Sequence, residues 1–141
     1  MFLLELDTYT SRLRLIGAVA LLISIVAWAS DLTGMVYECP YCRSQRTVIG
    51  LLGIFLMLPN PRYWITRYVG SVLGFFGASV AATQHFRGWA RVSAGEFEFN
   101  ERIYIDSTIL SGFALFIIIG LVWLMILPNE QASDEEENTA N

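Results

Sequence analysis

The chain has little charge, no lysine and only two cysteines. Charged residues make up 16% of its 141 residues, whereas a soluble domain of this size usually carries about 25%. Hydrophobic residues make up 55% of the chain and are grouped in long blocks. This composition indicates a membrane protein rather than a soluble domain with a hydrophobic core. The sequence also lacks a basic patch with interleaved aromatic residues, which argues against nucleic-acid binding.

The two cysteines form a single C-x-x-C motif at Cys39 and Cys42. Zinc sites need four ligands, commonly from two such pairs, and the chain has neither a second pair nor more than one histidine. A disulfide that closes four residues removes little chain entropy, so stabilisation alone is a poor explanation for it. Cys-Pro-Tyr-Cys also resembles the glutaredoxin active site. The glutaredoxin fold alternates strands and helices in a soluble domain, which this chain cannot build.

Four apolar segments predict an all-α membrane protein, a bundle of four transmembrane helices. A spanning helix needs about 20 mainly apolar residues. The second apolar run, residues 47–58, is too short to cross alone, so its helix must begin near Pro40 and carry the cysteine pair in its first turn. The predicted spans cover about residues 13–30, 40–59, 66–84 and 107–127. We assign residues 1–128 to this domain and residues 129–141 to a disordered acidic tail.

Two further local patterns concern the first and third spans. Ala27-Trp28-Ala29 follows an apolar run and resembles a signal-peptide cleavage site, although Glu5 and Asp7 replace the expected basic leader. In the third span, Gly70 and Gly74 form a G-x-x-x-G motif. This motif predicts close approach to a neighbouring helix.

The orientation of the bundle follows from redox chemistry rather than from charge. The nine arginines are spread over loops on both sides, so the positive-inside rule does not decide. A cysteine pair that cycles as a disulfide belongs on the oxidising side of a membrane. Cys39 is therefore predicted to face outward, and an even number of spans then places both termini in the cytoplasm.

Two arginines follow the cysteines at a spacing of four residues. Residues four apart share one helix face, so Arg43 is predicted to lie over Cys39 and Arg46 over Cys42. Positive charge and a helix N-terminus both favour a reactive thiolate. Arginine in the first turns of a membrane helix is a functional hypothesis by default. The alternative, snorkelling to lipid phosphates, is favoured for Arg43, whereas function is favoured for Arg46.

These features together resemble the disulfide bond formation protein B (DsbB) family. Members are four-helix proteins of the bacterial inner membrane that reoxidise a periplasmic thiol oxidase and pass the electrons to quinone. The resemblance covers most of the chain. It is carried by Cys39-Pro40-Tyr41-Cys42 opening the second span, Gln45-Arg46 behind it, a short loop to the third span, and Gln84-His85 at the end of the third.

The resemblance implies a protein-disulfide:quinone oxidoreductase with named site residues. Cys39 would exchange with the outer thiol partner, and Cys42 would face the quinone as a thiolate. Arg46 would hydrogen-bond a quinone carbonyl, and His85 matches a histidine linked with the quinone site. The implied cofactor is ubiquinone or menaquinone. The implied partners are a periplasmic thiol oxidase (DsbA-like) or another dithiol protein, together with membrane lipid.

One departure from the family keeps other interpretations open. Well-studied members carry a second cysteine pair between the third and fourth spans, but residues 86–106 contain none. That segment is predicted to be a loop lying on the membrane surface. The partner's thiols would then attack Cys39 directly, or the usual partner is not used.

Three alternatives to this family assignment are weighed. A non-catalytic membrane subunit or redox sensor with a vestigial C-x-x-C is the main one. Vitamin K epoxide reductases also combine C-x-x-C with quinone, but their order of elements fits less well. A transporter is less favoured because no acidic residue lies in the middle of a predicted span.

Overall fold

The computed structural model describes residues 12–36, 38–96, 98, 106–127 and 137–141. Four helices account for most of them, and none of these residues is in a strand. The prediction of an all-α fold is therefore confirmed for the described residues. In chain order the helices are α1 (Leu13–Leu32), α2 (Pro40–Met57), α3 (Trp64–Ser93) and α4 (Ser107–Ile126).

Local signals explain where the helices begin and end. Pro40 opens α2, where its missing N–H costs nothing. Asp106 caps α4 by accepting a hydrogen bond from the Thr108 amide at 2.8 Å. Gly34, with φ of 71°, follows α1 as the left-handed residue of a Schellman motif. Its N–H donates to the Asp31 carbonyl, and the next N–H donates to the Ser30 carbonyl.

The third helix is longer than predicted and corrects the assignment of residues 86–106 to a loop. It runs for 30 residues to Ser93, so the first part of that segment is helical. Gly88 is the only helix breaker in this stretch, and it is buried against Thr108 of α4. Beyond its end, Gly95 has a φ of 74° and is the left-handed residue of a second Schellman motif.

Three of the helices, α1, α3 and α4, are each long and apolar enough to cross a membrane. Among the described residues, α2 does not join this group. Its first two turns carry Arg43, Gln45 and Arg46, which lower its mean hydropathy. A bundle with three span-length helices is therefore the observed architecture.

The second helix lies at the centre of the bundle. It packs against α1, α3 and α4, and α3 also packs along α4. The side chains of Leu52 and Leu56 on α2 and of Ile118 and Met125 on α4 are completely buried. The outer faces are apolar instead of polar, with side chains such as Phe116 80% exposed. An apolar exterior of this kind marks a surface that contacts membrane or partner.

Glycines bring the helices close together at the end of the bundle away from the cysteines. A Cβ on Gly17 of α1 would lie 2.6 Å from the Gly53 carbonyl oxygen of α2. A Cβ on Gly74 of α3 would collide with Val122 of α4. The predicted close approach through the G-x-x-x-G motif is thus confirmed.

Several predictions fall outside the described residues. Glu5 and Asp7, which bear on the signal-peptide alternative, lie in residues 1–11, and most of the predicted acidic tail lies in residues 128–136. Residues 137–140 form a short helical turn.

Candidate functional site

The two cysteines lie at the N-terminal end of the central helix. Cys39 is the N-cap residue of α2, with extended backbone angles (φ −125°, ψ 117°), and Cys42 is in the first turn. Both are free thiols and half-buried. Residues three apart on a helix share a face, so both sulfurs can be reached by a single side chain from α3.

That side chain is Gln84. Its Nε2 lies 3.7 Å from the Cys39 sulfur and 3.4 Å from the Cys42 sulfur. Gln45, one turn after Cys42 in α2, donates its own amide hydrogen to Gln84 Oε1 at 2.7 Å. Both glutamines are buried. The structure therefore links the C-x-x-C motif to α3 through a pair of side-chain amides.

The arginines are turned toward a carboxylate of α1. Arg43 Nε lies 2.6 Å from Asp31 Oδ2, and Arg46 Nη1 lies 3.6 Å from the same oxygen. Arg46 also lines the same cavity as Cys42, and the arrangement of one arginine over each cysteine stays a prediction. Among the described residues neither guanidinium hydrogen-bonds a sulfur, and both pair with Asp31 instead. The physical reason is the carboxylate of α1: a buried negative charge needs a positive partner more than a neutral thiol does.

Asp31 was missed by sequence reasoning. It lies in the last turn of α1, where a negative charge opposes the helix dipole, and its side chain is completely buried. An aspartate at such an unfavourable position was the available signal. Its partners could not be read from the sequence because they belong to another helix.

One guanidinium nitrogen of Arg46 makes no hydrogen bond among the described residues. Its side chain is 14% exposed, and its backbone carbonyl accepts a hydrogen bond from the Ser24 hydroxyl at 2.7 Å. Arg46 Nη1 and Asp31 Oδ1 are both buried without a hydrogen-bond partner. Buried polar atoms are nearly always hydrogen-bonded, so Arg46 Nη1, although it lies 3.6 Å from Asp31 Oδ2, keeps a donor that no described residue accepts.

A cavity of about 440 Å³ opens beside Arg46. Its volume is in the range of small-molecule sites, roughly 300–1,000 Å³. Most of its wall is apolar, and Cys42, Gln45 and Arg46 supply polar groups on one side. The remaining lining comes from α1, the turn after it, α2 and α4: Ile23, Ala27, Ser30, Met35, Val36, Ile49, Leu110, Phe113, Ala114 and Ile117.

His85 does not line this cavity. Its Nδ1 lies 2.8 Å from the Thr108 carbonyl oxygen, and its Nε2 accepts a hydrogen bond from the Trp89 indole at 3.0 Å. The proton is therefore on Nδ1, and both ring nitrogens are occupied. Because α3 continues as a helix beyond Gln84, the next residue is rotated by about 100° and faces α4. His85 thus bonds Thr108 and Trp89 and is not among the residues that line the cavity with Cys42 and Arg46.

A cation–π contact closes the outer edge of the site. The guanidinium carbon of Arg87 lies 4.9 Å from the centre of the Tyr41 ring. Tyr41 stands between the two cysteines in the sequence. This contact joins α3 to the first turn of α2 near the sulfurs.

Comparison with models of protein families, with curated proteins and with solved structures finds no match for this chain. The similarity to the disulfide bond formation protein B family therefore depends on the quoted motif residues alone.

Proposed function

We propose that this chain is a membrane thiol:quinone oxidoreductase. It oxidises a dithiol protein through a Cys39–Cys42 disulfide and passes the electrons to quinone, and so supports disulfide bond formation in other proteins. The observation that carries this proposal is the apolar cavity lined by both Cys42 and Arg46, with one Arg46 guanidinium nitrogen that makes no hydrogen bond among the described residues.

The proposal includes a fourth membrane span, α2. Its 18 residues measure about 27 Å at 1.5 Å per residue, close to the ~30 Å hydrocarbon thickness. Three span-length helices surround it, and they would shield its polar first turns from lipid. The bundle would then lie in a bacterial inner membrane, with both termini cytoplasmic and the cysteines on the periplasmic side.

The first half-reaction is thiol–disulfide exchange. A thiolate of the partner protein attacks the Cys39 sulfur, and the Cys39–Cys42 bond breaks with Cys42 leaving as a thiolate. The second partner thiol then attacks the mixed disulfide and releases Cys39. The partner becomes oxidised, and the cysteine pair gains two electrons and two protons. Half-burial of Cys39 leaves part of its surface accessible to such a partner.

The second half-reaction returns the pair to its disulfide. A quinone bound in the cavity supplies a two-electron, two-proton acceptor and leaves as the quinol. Arg46 would donate a guanidinium N–H to a quinone carbonyl, and Ile49 and Phe113 would contact the ring. Cys42 lines the cavity and Cys39 does not, so the two sulfurs have separate tasks. The described geometry gives His85 no contact in this site.

The direct test replaces Cys42 with serine. In membranes containing the full chain, Cys42→Ser is expected to abolish thiol-dependent quinone reduction, because no disulfide can form. Ser44→Ala is the matched control: it lies in the same turn, and its hydroxyl bonds only the Pro40 carbonyl. Unchanged turnover in Cys42→Ser would remove the proposal.

A redox sensor or non-catalytic subunit is the second candidate, favoured by the absence of cysteine from residues 86–106. Alkylation of intact cells with and without reductant separates the two. A reducible, outward-facing disulfide with no quinone turnover indicates the sensor, and two free thiols facing the cytoplasm indicate the non-catalytic subunit.

A further inference from the structure

Gln84 contacts both sulfurs of the C-x-x-C motif, and it does so from a different helix. Its Nε2 lies within hydrogen-bonding distance of Cys39 and Cys42, and its Oε1 lies 3.9 Å from the Cys42 sulfur. Only 8% of Gln84 is exposed, so water competes little for these contacts. The same amide therefore offers donors to both sulfurs and an acceptor to one of them.

The orientation of the Gln84 amide is set by Gln45. The Gln45 amide donates to Gln84 Oε1 at 2.7 Å, which is much shorter than either sulfur contact. This bond keeps the Gln84 oxygen turned toward Gln45 and leaves the Gln84 NH₂ group facing the two cysteines. If the Gln84 amide were rotated by half a turn, its oxygen would lie beside the sulfurs. Its NH₂ group would then face the NH₂ group of Gln45, and two donors would meet without an acceptor.

We propose that Gln84 is a positioning residue that stabilises the reduced form of the cysteine pair, and that Gln45 holds it in place. The pair would consequently be a stronger oxidant than the same motif without the amides. This inference depends on the proposed redox activity of the cysteines and does not depend on quinone as the acceptor.

The chemistry gives the direction of the effect. Reduction by glutathione breaks the Cys39–Cys42 bond, consumes two glutathione thiols, and yields two protein thiols and one glutathione disulfide. A thiolate is a strong acceptor for the Gln84 N–H groups, and a Cys42 thiol can donate to Gln84 Oε1. A disulfide has no proton to donate, and its sulfurs are weaker acceptors than a thiolate. The hydrogen bonds of Gln84 therefore stabilise the reduced state of the cysteine pair more than the oxidised state.

The test measures the equilibrium of the cysteine pair with glutathione. The purified full chain is equilibrated in buffers of varied glutathione ratio, and the fraction reduced is read from the mass added by alkylation. Gln84→Met keeps the length of the side chain and removes its N–H donors. We expect about a tenfold smaller equilibrium constant for reduction, which for a two-electron couple is about 30 mV toward more negative potential.

Gln45→Met provides a second variant that leaves Gln84 intact. Loss of its hydrogen bond frees the Gln84 amide to rotate, so a smaller shift in the same direction is expected. The double variant should shift the potential no further than Gln84→Met alone, since both act through the same amide. If the two substitutions acted through independent changes in packing, their shifts in potential would add in the double variant.

Thr83→Val is the matched control on α3, since among the described residues the Thr83 hydroxyl bonds only the Ser79 carbonyl of its own helix. The reduction potential of the cysteine pair should be unchanged in this variant. An unshifted potential in both folded glutamine variants, or fully additive shifts, would overturn the inference.

Because this equilibrium is measured without quinone, failure of the inference about Gln84 can be told apart from failure of the proposed function. A shifted potential without quinone turnover in the unmodified chain would remove only the proposed function. Quinone turnover with unshifted potentials would remove only this inference.

Discussion

The two ends of the bundle are held together in opposite ways. At the cysteine end, defined by the first turns of α2 and the parts of α1 and α3 beside them, buried polar side chains join the helices. They are Asp31, Gln45 and Gln84, joined by the largely buried Arg46. At the glycine end, defined by Gly17, Gly53, Gly70 and Gly74, backbones and apolar side chains pack directly against each other.

This difference separates stability from function. The glycine end gains its stability from shape alone, as expected where helices pack through small residues. Well-packed apolar residues commonly stabilise a protein as much as a buried ion pair or more. The polar groups at the cysteine end are therefore poorly explained by stability, and their contacts with two thiols and a cavity point to chemistry instead.

The largest effect is expected from removing the charge of Asp31. Asp31→Asn leaves the guanidinium of Arg46 buried without a counter-charge. We expect a loss of unfolding free energy near the lower end of the ~3–5 kcal/mol typical for breaking a buried pair, because Arg43 keeps access to solvent. Denaturant unfolding in detergent measures this loss. Ser71→Ala is the control, since its hydroxyl bonds only the Arg67 carbonyl of its own helix. If the Asp31→Asn variant is as stable as the control, the carboxylate is not what secures the arginines.

The next largest effect is expected at the glycine end. In Gly74→Ala, the added methyl group collides with Val122 of α4, and overpacking of this kind costs about 1–3 kcal/mol. Gly120→Ala is the control, because nothing lies within 4 Å of a Cβ at that position. If the comparison of the two ends is correct, Gly74→Ala lowers stability and leaves the reduction potential of the cysteine pair unchanged. A shifted potential would show that the two ends are coupled.

A smaller effect is expected when Arg46 is shortened. Arg46→Ala removes the charged hydrogen bond that we propose to the quinone, which would be worth about 1.5 kcal/mol. That corresponds to roughly a tenfold higher apparent KM for quinone, with less change in the thiol–disulfide exchange step. Steady-state assays at varied quinone concentration measure both. An unaltered KM would contradict the role given to Arg46.

The smallest effect is expected at the edge of the cysteine end. Arg87→Ala removes the cation–π contact with Tyr41, which is worth about 0.5–1 kcal/mol at an exposed site. Arg91→Ala, one turn later on the same helix, is the matched control. Equal stabilities of the two variants in thermal unfolding would show that the contact contributes nothing.

Most of the helical fold could be predicted from local signals in the sequence. Pro40 and the apolar blocks predicted α2 and α4 to within two residues of their observed ends. The third helix was predicted to end nine residues too early, at residue 84 instead of Ser93. The helix continues through Gly88, which is buried against Thr108 of α4, and this contact between helices leaves no signal in the local sequence.

The candidate site could be predicted only in part. Cys39 and Cys42 are near each other in sequence, so their proximity follows from helix geometry. The contacts of Asp31 and Gln84 cross between helices, and no sequence spacing reports them. His85 shows the same limit, because one residue along α3 separates a side chain that contacts the sulfurs from one that contacts α4.

The most direct test of the account is the absorbance spectrum of the reduced protein when a quinone is added. If the Cys42 sulfur and a bound quinone share the cavity, a thiolate–quinone charge-transfer band should appear with the reduced protein. The band should be absent from the oxidised protein and from Cys42→Ser, and it should require more quinone in Arg46→Ala. A reduced, folded protein that shows no band at saturating quinone would contradict the claim that this dithiol delivers electrons into the cavity.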